Sequence, residues 1–320
     1  MEIRIRLGGP ELARVRFAMS PAYETVTALR VLRQPGVHAV HVPWVRWARP
    51  RVTALPDLAL LRALVAHDRY TPAFLIPPPS TRLPDLDAEL RRIRATPTAL
   101  VHRNIERLMP RSTLIRTLHD DPRGGLRRVA EALRHLYDAI VAPHWPRISR
   151  VLEADITHRA GILVAGGVAT LFAGLHPEVR WTDGELLLYP GQPDGTAVAL
   201  GGHGLVLCPS VFCWPRVTAA IRPVAEGTLR YPARGVATLW EFREPAPDAL
   251  AALIGRTRAG MLAALAAPAT TTELAATLAV TPGAVSQHLA VLRAAGLVTT
   301  RRDGRTVLHL RTARAETLLA

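Results

Sequence analysis

This 320-residue sequence contains no lysine, so its 40 basic residues are all arginine. A glycine-rich phosphate loop ends on a lysine that reaches the phosphates, so that class of nucleotide-binding site is excluded. Cysteine is nearly absent, with Cys208 and Cys213 the only two. Two thiols cannot staple a chain of this size, and a reducing cytoplasm is expected. Four residues separate them in apolar CPSVFC near His203, with no second pair, and they read as small buried hydrophobes rather than metal or redox ligands. Long apolar runs are missing as well. The most apolar stretch, GILVAGGVATLFAGL at 161–175, is shorter than the roughly 18–20 residues of a membrane span. It is expected to be a buried helix, bent at Gly166-Gly167. The amino terminus, MEIRIRLGG, alternates apolar and charged residues and predicts a short strand, not a signal core.

What the sequence does have is positive charge: +14 formally, with a pI of about 11.3. Arginine carries a fixed charge and a planar donor fork suited to phosphate and guanine. A polyanionic partner is one reading of this bias, and replacement of Lys by Arg through genomic composition is the other. With 49% hydrophobic and 21% charged residues, the chain has the mixture of a globular protein.

Prolines divide it into short helical units. Apolar spacing predicts helices over 11–33, 56–70, 84–94, 125–141 and about 147–164, so the chain is helical to about 177. From 178 the period changes. EVRWTDGELLLYPG has two strand-like runs about Asp183-Gly184, a type I′ hairpin signal. GLVLCPSVF and LRYPARGVATLWEF extend a small sheet to about 242. The proline- and carboxylate-rich EFREPAPD at 241–248 resembles a boundary. The expected class is mainly α with a small sheet (α+β), in two domains, 1–245 and 246–320.

The second domain opens on an apolar helix, ALAALIGRTRAGMLAALAAP. TTTELAATLAV follows, with Thr270 and Glu273 spaced as a capping box. A short connection leads to a helix with Thr281 as N-cap and Pro282 at its first position, where proline is best tolerated. Val285, Leu289 and Leu292 fall on one face, which leaves Ser286, Gln287 and Arg293 outside. Gly296 ends the helix. Two helices with a tight turn, the second amphipathic, make a helix-turn-helix. LVTTRRDGRTVLHLR then predicts a hairpin turning at Asp303-Gly304, with Arg302 opposite Arg305 and Arg301 adjacent. Like charges facing each other destabilise a hairpin, so these three arginines make sense beside a phosphate backbone.

TELAATL, VSQHLAVLRAAGLV and RRDGRTVLHL together resemble the winged helix-turn-helix of ArsR-type transcription regulators, over about 247–315. The amino-terminal part, notably ELARVRFAMSPAYETVTALRVL and HVPWV, resembles an uncharacterised actinobacterial domain fused to such regulators. The resemblance implies a homodimeric repressor of double-stranded DNA. Its DNA face would comprise Thr281, Gly283, Ala284, Ser286, Gln287, His288, Arg293, Arg301, Arg302 and Arg305. Ser286 and His288 match positions that similar proteins place at DNA, whereas Pro282, Gly283 and Ala284 replace the usual polar first turn. Relatives that sense metal do so through a cysteine pair before the position of Glu273. Here Thr270 and Thr272 stand there, and hydroxyls do not hold soft cations. No cofactor or metal is expected, while a small-molecule effector of unknown identity is. His38 and His41, an H-x-x-H without a Glu partner, read as structural. Trp181, Tyr189, Trp214, Tyr231 and Trp240 are available to a pocket between the 125–175 helices and the sheet, with core packing favoured for most. No G-x-S-x-G elbow or post-strand G-x-G-x-x-G occurs, and GGHG at 201–204 reads as a flexible loop, so an enzyme is not expected. The rival readings are an enzyme of unrecognised class with a DNA-binding tail, and a winged-helix protein-interaction module.

Overall fold

The structure is a computed structural model that describes residues 2–67, 70–108, 112–192, 195–236, 239–240, 248–303 and 306–319. The chain is mainly helical with small sheets, the α+β class that its patterning predicts. It divides into two compact units, Met1–Trp240 and Glu241–Ala320.

In the first unit, strands β1 (Ile3–Arg6), β2 (Arg16–Phe17), β3 (Val179–Thr182), β4 (Glu185–Leu188), β5 (Thr196–Ala199), β6 (Leu205–Ser210), β7 (Thr218–Ala220) and β8 (Gly227–Pro232) form two four-stranded sheets. One runs β3-β4-β1-β5, and the other β2-β6-β8-β7. The expected single sheet over 178–242 is therefore incomplete, because each sheet takes a strand from the first seventeen residues. β1 pairs antiparallel to β4 and parallel to β5, and β2 pairs parallel to β6. A two-residue strand such as Arg16–Phe17 carries too little pattern to be seen beside helical neighbours.

The helix expected over 11–33 is divided for the same reason. Its real start is Pro21, with Ser20 extended at φ −146° and its hydroxyl accepting from the Tyr23 N–H at 3.0 Å. A residue before proline disfavours the helical region, so the helix cannot run through Ser20. The helix expected over 56–70 is the shorter Leu58–Leu64. At Asp183 and Gly184, φ values of 50° and 80° make the predicted hairpin turn.

Helix Pro122–Ile140 is central to the helical layer. Leu126, Val129, Leu133, Leu136 and Ile140 are buried on the face predicted for it, against the helices Pro21–Arg33, Val42–Val52 and Leu86–Arg94. Cys208 and Cys213 are buried free thiols, and burial pushes the Cys208 thiol up to about 12. His41 is fully buried, its Nδ1 accepting from Trp240 Nε1 at 2.7 Å. Tyr231 and Trp240 are core residues, whereas Trp214 is exposed.

Helix Trp145–Ala173 corrects a second expectation. Its 161–170 portion is largely exposed, with Val164 at 88%. Gly167 breaks it at φ 71°, ψ −178°, a region open essentially to glycine alone. Beyond the break the chain returns, and Arg159 donates to the carbonyls of Gly174 and Leu175. Ala142–Ala173 is long and apolar enough to cross a membrane, and 22% of its most apolar window is buried.

Candidate nucleic-acid interface

The second unit has a core of its own, built from Met261, Leu262, Leu265, Leu274, Val285, Leu289, Leu292, Leu297 and Val298. Its first apolar helix is two helices, Asp248–Ile254 and Arg256–Ala264, parted at Gly255 with φ 86°. Leu253, in the first of these helices, is 76% exposed.

Helix Thr271–Leu278 begins on the predicted capping box. Thr270 Oγ1 accepts from the Glu273 N–H at 3.2 Å, and Glu273 Oε2 accepts from the Thr270 N–H at 2.7 Å. Such caps stabilise a helix by about 1 kcal/mol. The Thr270 backbone bond also holds the Glu273 carboxyl below the ordinary carboxylate range. Ala279 then adopts the left-handed region at φ 54°, ψ 41°. The chain turns by 109° between this helix and Pro282–Ala294, as a helix-turn-helix requires.

Thr281 caps the second helix, its Oγ1 accepting from the Ala284 N–H at 3.3 Å. Val285, Leu289 and Leu292 are at most 2% exposed, and this buried stripe sets the helix's rotation about its axis. Gly296, at φ 68°, ends it, with its N–H donating to Arg293 O and that of Leu297 donating to Leu292 O.

This rotation turns Thr281, Gly283, Ser286, Gln287 and Arg293 to the surface, with Ala284 and His288 half-buried. The Gln287 amide has no partner among the described residues. Ser286 Oγ donates to Pro282 O at 3.0 Å, which leaves its oxygen as an acceptor. Arg293 Nε donates to Leu289 O at 3.3 Å. A Cβ built at Gly283 would meet nothing within 4 Å, so packing does not demand glycine there. Since Thr281 occupies the Ala284 N–H, the donor that the first turn keeps for a phosphate is the Gly283 N–H.

Strands β9 (Val298–Asp303) and β10 (Thr306–Arg311) form the predicted antiparallel hairpin. Each cross-strand partner lies two residues further along than the expected turn places it. Asp303 pairs with Thr306 and Arg302 with Val307, so Arg302 does not face Arg305. An apolar partner replaces the like charge that would have opposed it. Arg305 and Gly304 lie outside the described residues. Arg301 and Arg302 are exposed, without a carboxylate partner among the described residues.

The residue that sequence reasoning missed is His309. Alternation about Leu308 and Leu310 puts a histidine on the wet face, yet His309 is 4% exposed and both leucines are only half-buried. The cause is a backbone bridge, with the Ala269 N–H donating to His309 O at 3.1 Å and the His309 N–H to Ala269 O at 2.9 Å. Its ring Nε2 lies 3.1 Å from Thr271 Oγ1. Desolvation, reinforced by Arg293, lowers its pKa. One side chain thus joins the wing to the start of the first helix of the pair.

Among the described residues, no group of three or more His, Cys, Asp or Glu could hold a metal ion. Residues 253–301 match a family described as a helix-turn-helix domain. Residues 47–237, more than half of the chain, match the family of unknown function DUF5937. The chain belongs to DUF5937. In this DUF5937 member the family region lies within the first unit, and the helix-turn-helix match covers the helix pair and reaches the wing at Arg301. No curated protein and no solved structure matches the chain. The helix-turn-helix domain marks a DNA-binding regulator in general terms.

Proposed function

We propose that this protein is a cytoplasmic, homodimeric transcription regulator of the ArsR type, acting as a repressor and having no catalytic activity. One observation carries the reading: a single compact unit presents the exposed edge of helix Pro282–Ala294 together with the arginines of a hairpin bridged to the start of the helix pair. The helix edge offers a free amide at Gln287 and an acceptor at Ser286 for bases in the major groove. Arg301 and Arg302 offer charge to flanking phosphates or the minor groove. The order of the three motifs TELAATL, VSQHLAVLRAAGLV and RRDGRTVLHL supports the ArsR type, and Thr270, used here as a cap, supports a member that does not sense metal through a cysteine pair at that helix.

Two copies would place their recognition helices in successive major grooves. Release would follow when a small molecule binds one arrangement of the protein better than another, since only differential affinity shifts such an equilibrium. Selection of genomic fragments with the purified full chain tests the reading. A palindromic motif with half-sites about one helical turn apart is expected. Failure to enrich any DNA would overturn it.

A further inference from the structure

The first unit holds an open groove of about 610 Å³ that the DNA reading does not use. Binding sites for small organic molecules commonly measure roughly 300–1,000 Å³. One wall is helix Trp145–Ala173, through Ile156 and Ala160, and the other is Phe17 with the segment 80–82.

That segment is fixed in place rather than loosely draped. It follows Pro77-Pro78-Pro79, the Arg82 carbonyl accepts from the Met19 N–H at 2.9 Å, and the Pro79 carbonyl accepts from Arg16 Nη2 at 2.6 Å. The Pro78 carbonyl is held by Arg92 Nη1. A groove whose wall is held at several points keeps its shape before a ligand arrives, which lowers the ordering cost of binding.

Two guanidinium groups line the groove in different electrostatic states. Arg16 is balanced by Glu226, which it meets through Nε at 3.0 Å and Nη2 at 2.8 Å. This pairing leaves Nη1 without an acceptor among the described residues. Arg82 is exposed and has no partner for its guanidinium among them. The lining therefore carries one unbalanced positive charge beside Phe17, Ile156 and Ala160.

We propose that this groove binds an amphipathic organic monoanion, a carboxylate whose head meets Arg82 and the open edge of Arg16 and whose apolar body lies along Phe17, Ile156 and Ala160. The assignment deepens the effector part of the proposed function and rests on that reading only for its regulatory meaning. Binding itself is measured without DNA, so failure here and failure of the DNA reading are separate results.

The test is calorimetric titration of the full chain with octanoate, decanoate, 4-phenylbutyrate and 2-naphthoate, with decan-1-ol and decyltrimethylammonium as neutral and cationic controls. At least one carboxylate should bind below millimolar concentration and more tightly than either control. Arg82→Gln removes no internal contact, so the fold persists, and it should weaken carboxylate binding about tenfold or more while leaving decan-1-ol unchanged. Ala160→Trp should fill the groove and abolish both. Absence of binding by all four carboxylates, or binding that neither substitution alters, would overturn the assignment.

Discussion

Single side chains decide the selectivity expected here. Gln287 is exposed with its amide uncommitted, and a side-chain amide can meet adenine through two hydrogen bonds worth about 1–3 kcal/mol of discrimination. Gln287→Ala should therefore cost about tenfold on the selected duplex and little on a random one in a fluorescence-anisotropy titration. Equal losses would place base reading elsewhere. Glu24 in the first unit makes a different prediction, for stability. It is 1% exposed, its oxygens accept from the Val211 N–H at 3.2 and 3.3 Å, and burial pushes its carboxyl up to about 8. Because the folded pKa lies above the unfolded value, its contribution is full below about pH 4.5 and is lost as pH rises through about 8. The histidines His38, His41, His144, His158 and His309 are lowered by desolvation, so their titration in the unfolded chain opposes that slope near pH 6.5 and fades about one unit above it. Glu89, pushed up to about 7, adds to its lower part. Unfolding by urea should thus show the wild type losing on the order of 1–2 kcal/mol more than Glu24→Gln between about pH 6.5 and 8, since the histidine contribution is common to both. At this scale the cysteines were legible, because small thiols in an apolar stretch have few other places to go. The Ser286 hydroxyl was not, since its bond to Pro282 O depends on a rotamer that spacing does not encode.

Elements with strong local signals follow their sequence closely. The capping box at Thr270, the Thr281-Pro282 start and the Gly296 stop are chemical requirements of helix ends, and each appears where the residues place it. Elements decided by tertiary packing do not. Apolar composition at 161–170 implied burial, but an exposed apolar residue breaks no physical rule, and nothing local reports which side of a surface a helix lies on. The wing register is a further case, for a two-residue shift alters each cross-strand partner while keeping every side chain on its face and the hairpin intact. That shift leaves Arg301 and Arg302 exposed, and it sharpens what they should do. Each cation that neutralises a phosphate adds roughly 0.9 to the slope of log affinity against log salt. Replacing both by alanine should lower that slope by about 2 on any duplex, with an unchanged circular-dichroism spectrum. An unaltered slope would take the wing away from the backbone.

For the molecule as a whole, buried clusters that each stay within one unit and the match of each unit to its own family show that the chain joins two modules. The proposed pairing predicts sedimentation as a species of about 70 kDa, twice the mass of the 34.8 kDa chain. A species of single-chain mass at micromolar concentration, with undiminished operator binding, would remove the dimer. The bridge between Ala269 and His309 bears on how such a reader chooses its site. It pins the wing to the start of the helix pair, and with the core that joins that pair to the wing it holds the span between the recognition helix and the arginines, as the jaws of a caliper are set by a locked screw. A tool of fixed opening measures what is put between its jaws. Duplexes whose groove width and local bend suit that opening would be held even where no base is touched, and stiff sequences of the wrong width would be refused.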